Sequence, residues 1–255
     1  MLLAIDIGNT NITFGIKQIN CAFDVWSLPT KGIGQKDIFS SQIKKAFTRY
    51  FARANEVKEI VICSVVPSVE LRLKAICLKI FTKAKVFILT QDISIPVKNK
   101  YQFPEQVGTD RLANALSVIY NYQTPAIIVD FGTAITVDVV SGQKEYLGGV
   151  ITPGINMSLS VLSEKTALLP ALKIKKPGKV LGRDTKNSIL NGVIYGSAFM
   201  IDKFILSFKA MLKQEAVVLA TGGNLKLMQK FCQQINIYDP CLTLKGIEKA
   251  YILSK

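Results

Sequence analysis

The chain has 255 residues, 49% apolar and 20% charged, a balance that suits a cored globular protein of two lobes of roughly 120 residues each. It contains no histidine, which excludes an imidazole base, a Ser-His-Asp triad and a His-ligated metal. The net charge of +14 suggests anionic partners, but only five of the 32 basic residues are arginine and the lysines are dispersed, a pattern of solvated surface rather than of a nucleic-acid or membrane site.

In chain order, Met1–Ile5 reads as a buried strand, Gly8-Asn9 as the turn after it and Ile12–Ile16 as the returning strand. A helix is predicted from Asp37, as N-cap, to about Ala54, because Ile38, Ile43, Ala46, Phe47, Tyr50 and Phe51 recur at near-helical spacing. Gly32-x-Gly34 falls in a polar connection and reads as loop. Glu59–Val66 is a continuous apolar run, the mark of a strand buried on both faces. A further helix and a strand at Lys85–Leu89 follow, and Gly108–Tyr122 is predicted as a helix joining two halves. The plan then repeats: Ala126–Val129 is a strand, Ala134–Val140 its return, and Glu145–Ile151 a third strand ending near Gly148-Gly149. Asn187 to about Leu212 reads as a long helix and Ala216–Ala220 as a buried strand closing on Thr221-Gly222-Gly223.

No run reaches the roughly 18 uninterrupted apolar residues of a membrane span. Asp6 stands where a signal peptide would be apolar, so the expected location is the cytoplasm. The five cysteines, Cys21, Cys63, Cys77, Cys232 and Cys241, are scattered without a C-x-x-C pair and fit neither a disulfide framework nor a zinc site. The densest basic stretch is Lys173, Lys175, Lys176 and Lys179, flanking Pro177-Gly178.

The repeat carries the chemistry. Asp6-Ile7-Gly8-Asn9-Thr10 and Asp130-Phe131-Gly132-Thr133-Ala134 each follow an apolar strand, half a chain length apart. A carboxylate at a strand's carboxyl end can hold a metal or its water shell. The glycine lets backbone approach phosphate oxygens, while adjacent N–H and threonine hydroxyl groups donate to them. Two such loops are expected to face a phosphate chain from opposite sides of a cleft, with Thr221-Gly222-Gly223 at the adenosine end or simply turning the chain into a helix. No G-x-x-x-x-G-K-[ST] and no strand-borne G-x-G-x-x-G is present. With histidine absent, acid–base work falls to a carboxylate. The segment Asn99-x-Tyr101-x-x-Pro104-x-x-Val107-Gly108-x-Asp110-Arg111 reads either as a loop leading into a helix or as an acceptor site, with Asp110 taking a hydroxyl proton and Arg111 binding an anion.

These motifs, with Gly15, Thr136, Gly148-Gly149-x-Ile151-x-Pro153-Gly154 and Gly182-Arg183-Asp184-Thr185, closely resemble the type III pantothenate kinases of the actin/Hsp70/sugar-kinase superfamily. The resemblance runs over nearly the whole chain. It implies an α/β fold of duplicated ribonuclease H-like (actin-like ATPase) domains, a mixed sheet flanked by helices in each, with lobes at 1–115 and 116–255. It implies ATP-dependent phosphorylation of the primary hydroxyl of pantothenate, the first step towards coenzyme A, by a homodimer that uses Mg²⁺ and a monovalent cation, K⁺ or NH₄⁺. By position, Asp6, Ile7, Gly8, Asn9, Thr10, Asn11, Ile12, Thr13 and Thr133 would line the ATP phosphates, and Asp130 would hold the monovalent cation. Tyr101, Gly108, Thr109, Asp110, Arg111 and Thr185 would bind pantothenate, with Asp110 as the base. Trp26-Ser27-Leu28-Pro29-Thr30 lacks the arginine expected before its threonine. Two rivals stand beside this reading: a sugar kinase or phosphatase of the same superfamily, against which the Asn99–Arg111 motif speaks, and a non-catalytic ATP-binding regulator, against which Asp110 speaks.

Overall fold

A computed structural model describes residues 1–17, 22–34, 39–43, 45, 46 and 56–255. The chain forms two compact units: residues 1–97, 103–120 and 241–255 make the first, and residues 98–102 and 121–240 the second.

The first unit is built on a five-stranded sheet. Its strands are β1 (Leu2–Ile7), β2 (Asn11–Lys17), β3 (Asp24–Pro29), β4 (Glu59–Ser64) and β5 (Lys85–Ile88), in the order β3-β2-β1-β4-β5. β1 runs antiparallel to β2 and parallel to β4. Because successive strand residues face opposite ways, β1 supplies both layers of the core. Leu3, Ile5 and Ile7 join one cluster, with Leu73, Ile76 and Cys77 of helix α1 (Pro67–Ile80). Ala4 joins the other, with Val61 and Cys63 of β4, Ala113 and Leu116 of α2 (Thr109–Asn121), and Leu244, Ile247, Ala250 and Tyr251 of the last helix, Leu242–Leu253. By the same alternation Asp6 projects on the face that α2 covers.

The second unit has six strands. β6 (Lys98–Asn99), β7 (Ala126–Phe131), β8 (Ala134–Val140), β9 (Glu145–Pro153), β10 (Val217–Thr221) and β11 (Ile237–Tyr238) lie in the order β11-β10-β7-β8-β9-β6. Read from β9 to β11, the succession 9-8-7-10-11 is the 3-2-1-4-5 of the first sheet, and β7 again runs antiparallel to its return strand and parallel to β10. The duplicated mixed-sheet plan expected from the sequence is therefore present. Ile127, Val129 and Phe131 pack against Ile194, Ala198, Ile201 and Ile205 of the long helix Thr185–Leu212. That helix is long and apolar enough to cross a membrane, with a mean hydropathy of 1.4 over 18 residues, and half of that window is buried. Its buried stripe is the core of the second unit.

Several elements differ from expectation. The long helix begins at Thr185 rather than Asn187, because the Asp184 carboxylate accepts the Asn187 N–H at 2.9 Å and caps the first turn. Thr30–Gly34 is a 3-10 turn rather than loop. Strand β3 and the helices Ile155–Glu164, Leu225–Met228 and Leu242–Leu253 are additional. Of the helix expected over 37–54, residues 39–43, 45 and 46 are helical. Asp37, Ile38, Phe47, Tyr50, Phe51 and Ala54 lie outside the described residues, as does Cys21.

Candidate functional site

The two aspartates of the repeat occupy equivalent places. β1 and β7 are both six residues long, and Asp6 and Asp130 are each fifth. Asp6 pairs with Thr13 on the return strand and Cys63 on the parallel strand; Asp130 pairs with Thr136 and Thr221. The glycine two residues on is equally constrained in both copies. A Cβ on Gly8 would stand 3.2 Å from the Asn11 carbonyl oxygen, and one on Gly132 3.2 Å from that of Ala134. A side chain would be crowded in either turn, and a bare backbone is what lets a main chain come close to a phosphate oxygen.

In the first unit the turn is braced from β3. Gly8 N–H donates to the Asn11 carbonyl at 3.0 Å, Thr30 N–H to Thr10 O at 2.9 Å, and the Thr30 hydroxyl to Gly8 O at 2.7 Å. Thr30 is buried despite its polarity, so it serves the turn rather than solvent. Asn9, Thr10 and Asn11 are exposed, and Ile7 and Ile12 are core. Thr13 shares a hydrogen bond of 3.2 Å with Ser27.

The Gly108–Arg111 segment opens α2. The Thr109 hydroxyl donates to Ser64 O at 2.8 Å, fixing the start of the helix to the end of β4. Arg111 N–H donates to Gly108 O at 3.1 Å and to Asp110 Oδ1 at 2.8 Å. A Cβ on Gly108 would lie 2.5 Å from that same Oδ1, so the glycine is required for the carboxylate to fold back over the turn. Arg111 is buried and Asp110 half-buried. Cys63 reports how closely the acids gather. Burial pushes its thiol well up, and the charges of Asp6 and then Asp110 push it further, against a lowering hydrogen bond with Thr109. Asp6 and Asp110 thus act on one buried sulfur within one unit.

In the second unit, Asp130 Oδ1 is bounded by two glycines. A Cβ on Gly132 would stand 3.3 Å from it. One on Gly222, whose φ is +98°, would collide with it and sit 2.6 Å from the N and C of Phe131. Glycine alone at 222 both adopts that backbone and leaves the carboxylate room. Thr133 O accepts Gly154 N–H at 3.1 Å, tying the second turn to the start of the helix Ile155–Glu164. Thr185 is exposed in the first turn of the long helix. The Asp184 cap beside it holds its carboxyl below the ordinary value, through the Asn187 N–H first and the Asn187 side chain second. A Cβ on Gly182 would lie 2.5 Å from Ser188 N, so that glycine lets the chain pass close over the helix start.

Asn99 and Tyr101 belong to the second unit although their motif from Pro104 to Arg111 lies in the first. Residues 98–102 pair β6 with β9 (Lys98 opposite Glu145, Asn99 opposite Tyr146), and the Asn99 side-chain oxygen accepts the Tyr101 N–H at 3.0 Å. The predicted residues are therefore gathered as Asp6–Thr13 with Gly108–Arg111 in one unit, and Tyr101, Asp130, Thr133 and Thr185 in the other. Thr30 entered the sequence reading only as the threonine of the Trp26–Thr30 segment, and Ser64 and Tyr146 not at all: Ser64 serves through its main-chain carbonyl and Tyr146 through strand pairing, neither of which leaves a local signal. Among the described residues no group of three or more Cys, Asp or Glu side chains could hold a metal.

Among solved structures, the chain is similar to a protein assigned to the Baf family of transcriptional activators from Campylobacter jejuni, at 22% identity and a TM-score of 0.62, over 98% of both chains. It is also similar to a protein assigned as a 2-dehydro-3-deoxygalactonokinase from Sinorhizobium meliloti (12% identity, TM-score 0.58, 99% of this chain and 96% of that one). A third is the ethanolamine utilization protein EutJ from Carboxydothermus hydrogenoformans (15% identity, TM-score 0.51, 96% and 88%). At these identities the likeness is one of fold. The family model for type III pantothenate kinase matches residues 2–207, from the first strand through most of the long helix, and the chain belongs to that family of ATP-dependent kinases.

Proposed function

We propose that this chain transfers the γ-phosphoryl group of ATP to the primary hydroxyl of pantothenate, giving 4'-phosphopantothenate in the first step of coenzyme A biosynthesis. The observation that carries the reading is the twice-built strand tip of a pantothenate kinase family member: an aspartate fifth in a six-residue strand, followed by a turn glycine whose Cβ position lies 3.2 Å from a main-chain carbonyl oxygen. In this reading Asp6, Ile7, Gly8, Asn9, Thr10, Asn11, Ile12, Thr13 and Thr133 line the ATP phosphates, donating from main-chain N–H and side-chain groups. Tyr101, Gly108, Thr109, Asp110, Arg111 and Thr185 bind pantothenate. The hydroxyl oxygen attacks the γ-phosphorus, the bond to the β–γ bridging oxygen breaks, and ADP leaves with that electron pair. Asp110 orients the hydroxyl and accepts its proton, help worth about 10²–10⁴ in rate. The buried Arg111 holds Asp110's turn and offers charge to the substrate carboxylate.

The donors fit the two kinds of ion differently. With no cluster of three acids among the described residues, Mg²⁺ suits a site made chiefly by the ATP phosphates and water, with Asp6 at its edge. Asp130 suits K⁺ or NH₄⁺, because neither Gly132 nor Gly222 sets a side chain of its own against Oδ1. Such cations neutralise charge on the phosphates. We read the two units as the two ribonuclease H-like lobes and the enzyme as a cytoplasmic homodimer, the latter supported by Phe199, Leu206 and Met211 exposed along one helix.

A coupled ADP-release assay tests the reading, with pantothenate beside hexoses, with and without potassium. Turnover with pantothenate alone, stimulated by potassium, is expected. Turnover with a hexose and none with pantothenate would overturn it.

A further inference from the structure

Among the described residues the second unit buries two carboxylates that the reaction above does not use, Asp239, which accepts the Tyr122 hydroxyl at 2.6 Å, and Asp138. Asp138, in the middle of β8, is wholly inaccessible to solvent. Its two oxygens take two different hydroxyls: Tyr146 donates to Oδ1 at 2.7 Å and Thr136 to Oδ2 at 2.9 Å. Gly149 lies directly opposite on β9, where a Cβ would meet the Val137 carbonyl oxygen first and then stand 2.8 Å from both Asp138 Cα and Asp138 Oδ1, so the two strands pack closely beside this acid. A carboxylate in a sheet interior costs several kcal/mol unless its bonds are made, and a hydrophobic side chain would have served packing alone.

Each donor leads to a proposed site residue. Thr136 is the cross-strand partner of Asp130. Tyr146 lies under Tyr101: their rings are 6.5 Å apart at 42°, Lys100 N–H donates to Tyr146 O at 2.8 Å, and Asn99 pairs with Tyr146. The register of β8 and β9 shifts between Val139 and Val140, next to Gly148 at φ +119°. A Cβ on Gly148 would come 3.1 and 3.2 Å from two ring carbons of Tyr101. The Tyr101 ring thus rests on Gly148 and against Tyr146, which Asp138 holds by its hydroxyl. Lys98 and Lys100 close the arrangement by pairing with Glu145 at 2.5 and 3.8 Å.

We propose that Asp138 is a positioning residue for the phosphoryl transfer, holding Tyr146 so that Tyr101 receives pantothenate and Thr136 so that Asp130 receives the monovalent cation. The proposal rests on the roles given above to Tyr101 and Asp130. A carboxylate can accept from both hydroxyls at once, whereas an asparagine amide offers one acceptor oxygen and one donor nitrogen. Removing either hydroxyl should therefore affect one site, and changing the acid should affect both.

The test is a set of steady-state titrations on the full chain, with melting temperature followed for each variant. Tyr146→Phe is expected to raise KM for pantothenate about tenfold, the scale of one hydrogen bond to a charged group, and to leave the potassium activation constant alone. Thr136→Val is expected to do the reverse, with Thr136→Ser restoring the wild-type constant. Asp138→Asn is expected to raise both constants while KM for ATP stays within about twofold. If Asp138→Asn fails to fold, the Tyr146→Phe and Thr136→Val pair carries the test alone. Equal loss of kcat in all variants, with both constants unchanged, would overturn the proposal. Tyr101→Ala separates it from the reading beneath it. If Tyr101→Ala raises KM for pantothenate and Tyr146→Phe does not, only the positioning role falls. If Tyr101→Ala has no effect on that KM, the acceptor assignment falls and takes this proposal with it.

Discussion

Gly222→Ala isolates the Asp130 cradle. An alanine at φ +98° pays the left-handed penalty of about 1–2 kcal/mol. Its methyl would also stand 2.6 Å from the N and C of Phe131, main-chain atoms of a central strand that cannot rotate away, and overpacking of that kind costs about 1–3 kcal/mol. Together these give about 2–5 kcal/mol, or roughly 4–20 °C in Tm at the 2–4 °C per kcal/mol usual for a chain of this size. Gly223 is the internal control. No heavy atom lies within 4 Å of the Cβ it would gain, so Gly223→Ala should stay within about 0.5 kcal/mol of wild type. Differential scanning calorimetry gives the stabilities, and a potassium titration of ADP release gives the functional half, where Gly222→Ala should need more cation because the methyl displaces the Asp130 carboxylate. Equal Tm values for the two alanine variants would refute the steric argument. A lowered Tm with an unshifted potassium curve would refute the cation assignment instead.

Asp110→Asn should keep ATP affinity and lose about 10²–10⁴ of kcat, since an amide oxygen can still accept the Arg111 N–H but cannot take a proton; near wild-type turnover in the coupled assay would remove Asp110 from the role. Thr30→Val leaves Gly8 O without its hydroxyl donor and should cost about 1–3 kcal/mol while raising KM for ATP, read by thermal melts and an ATP titration. Asp184 has its carboxyl pKa lowered by the helix-start bonds, so the stability it contributes is present above its ordinary value of 3.8 and lost as pH falls through the lower folded value. Melts of wild type and Asp184→Ala should therefore differ at pH 7 and converge on strong acidification. Burial raises the thiols of Cys77 and Cys232 to about 12 and holds Cys63 well up, so a thiol reagent at pH 8 followed by peptide mapping should leave all three unlabelled until the chain unfolds.

The repeat was legible because its signal is local: an apolar run, Asp-x-Gly and a return strand, twice. β3 was not. Trp26 and Leu28 alternate with outward residues, but four of the six strand residues are exposed, and among the described residues β3 pairs with β2 alone, where Trp26 stacks on Phe14 at 5.3 Å. The site residues announced themselves by glycine and threonine, whereas their supports did not. Nothing near Tyr101 in sequence points to Tyr146 or Asp138, because a β-ladder register joins them, and Thr30 meets Gly8 only across a sheet. The last helix also escaped, although Leu242, Gly246, Ile247, Ala250 and Tyr251 fall on one helical face. Its partner surface, formed by β1, β4 and α2, is encoded more than a hundred residues upstream.

That distant closure sets an order of assembly. Gly246 lies so close to the main chain of Ala113 that a methyl would collide with its carbonyl, and Leu244, Ile247, Ala250 and Tyr251 fill one side of the amino-terminal sheet. Amino-terminal segments usually consolidate first during translation, but this face of the amino-terminal sheet has its cover only once Leu242–Leu253 has been made. The body containing residues 121–240 can seal its own interior while the start of the polypeptide still waits for the final helix to leave the ribosome.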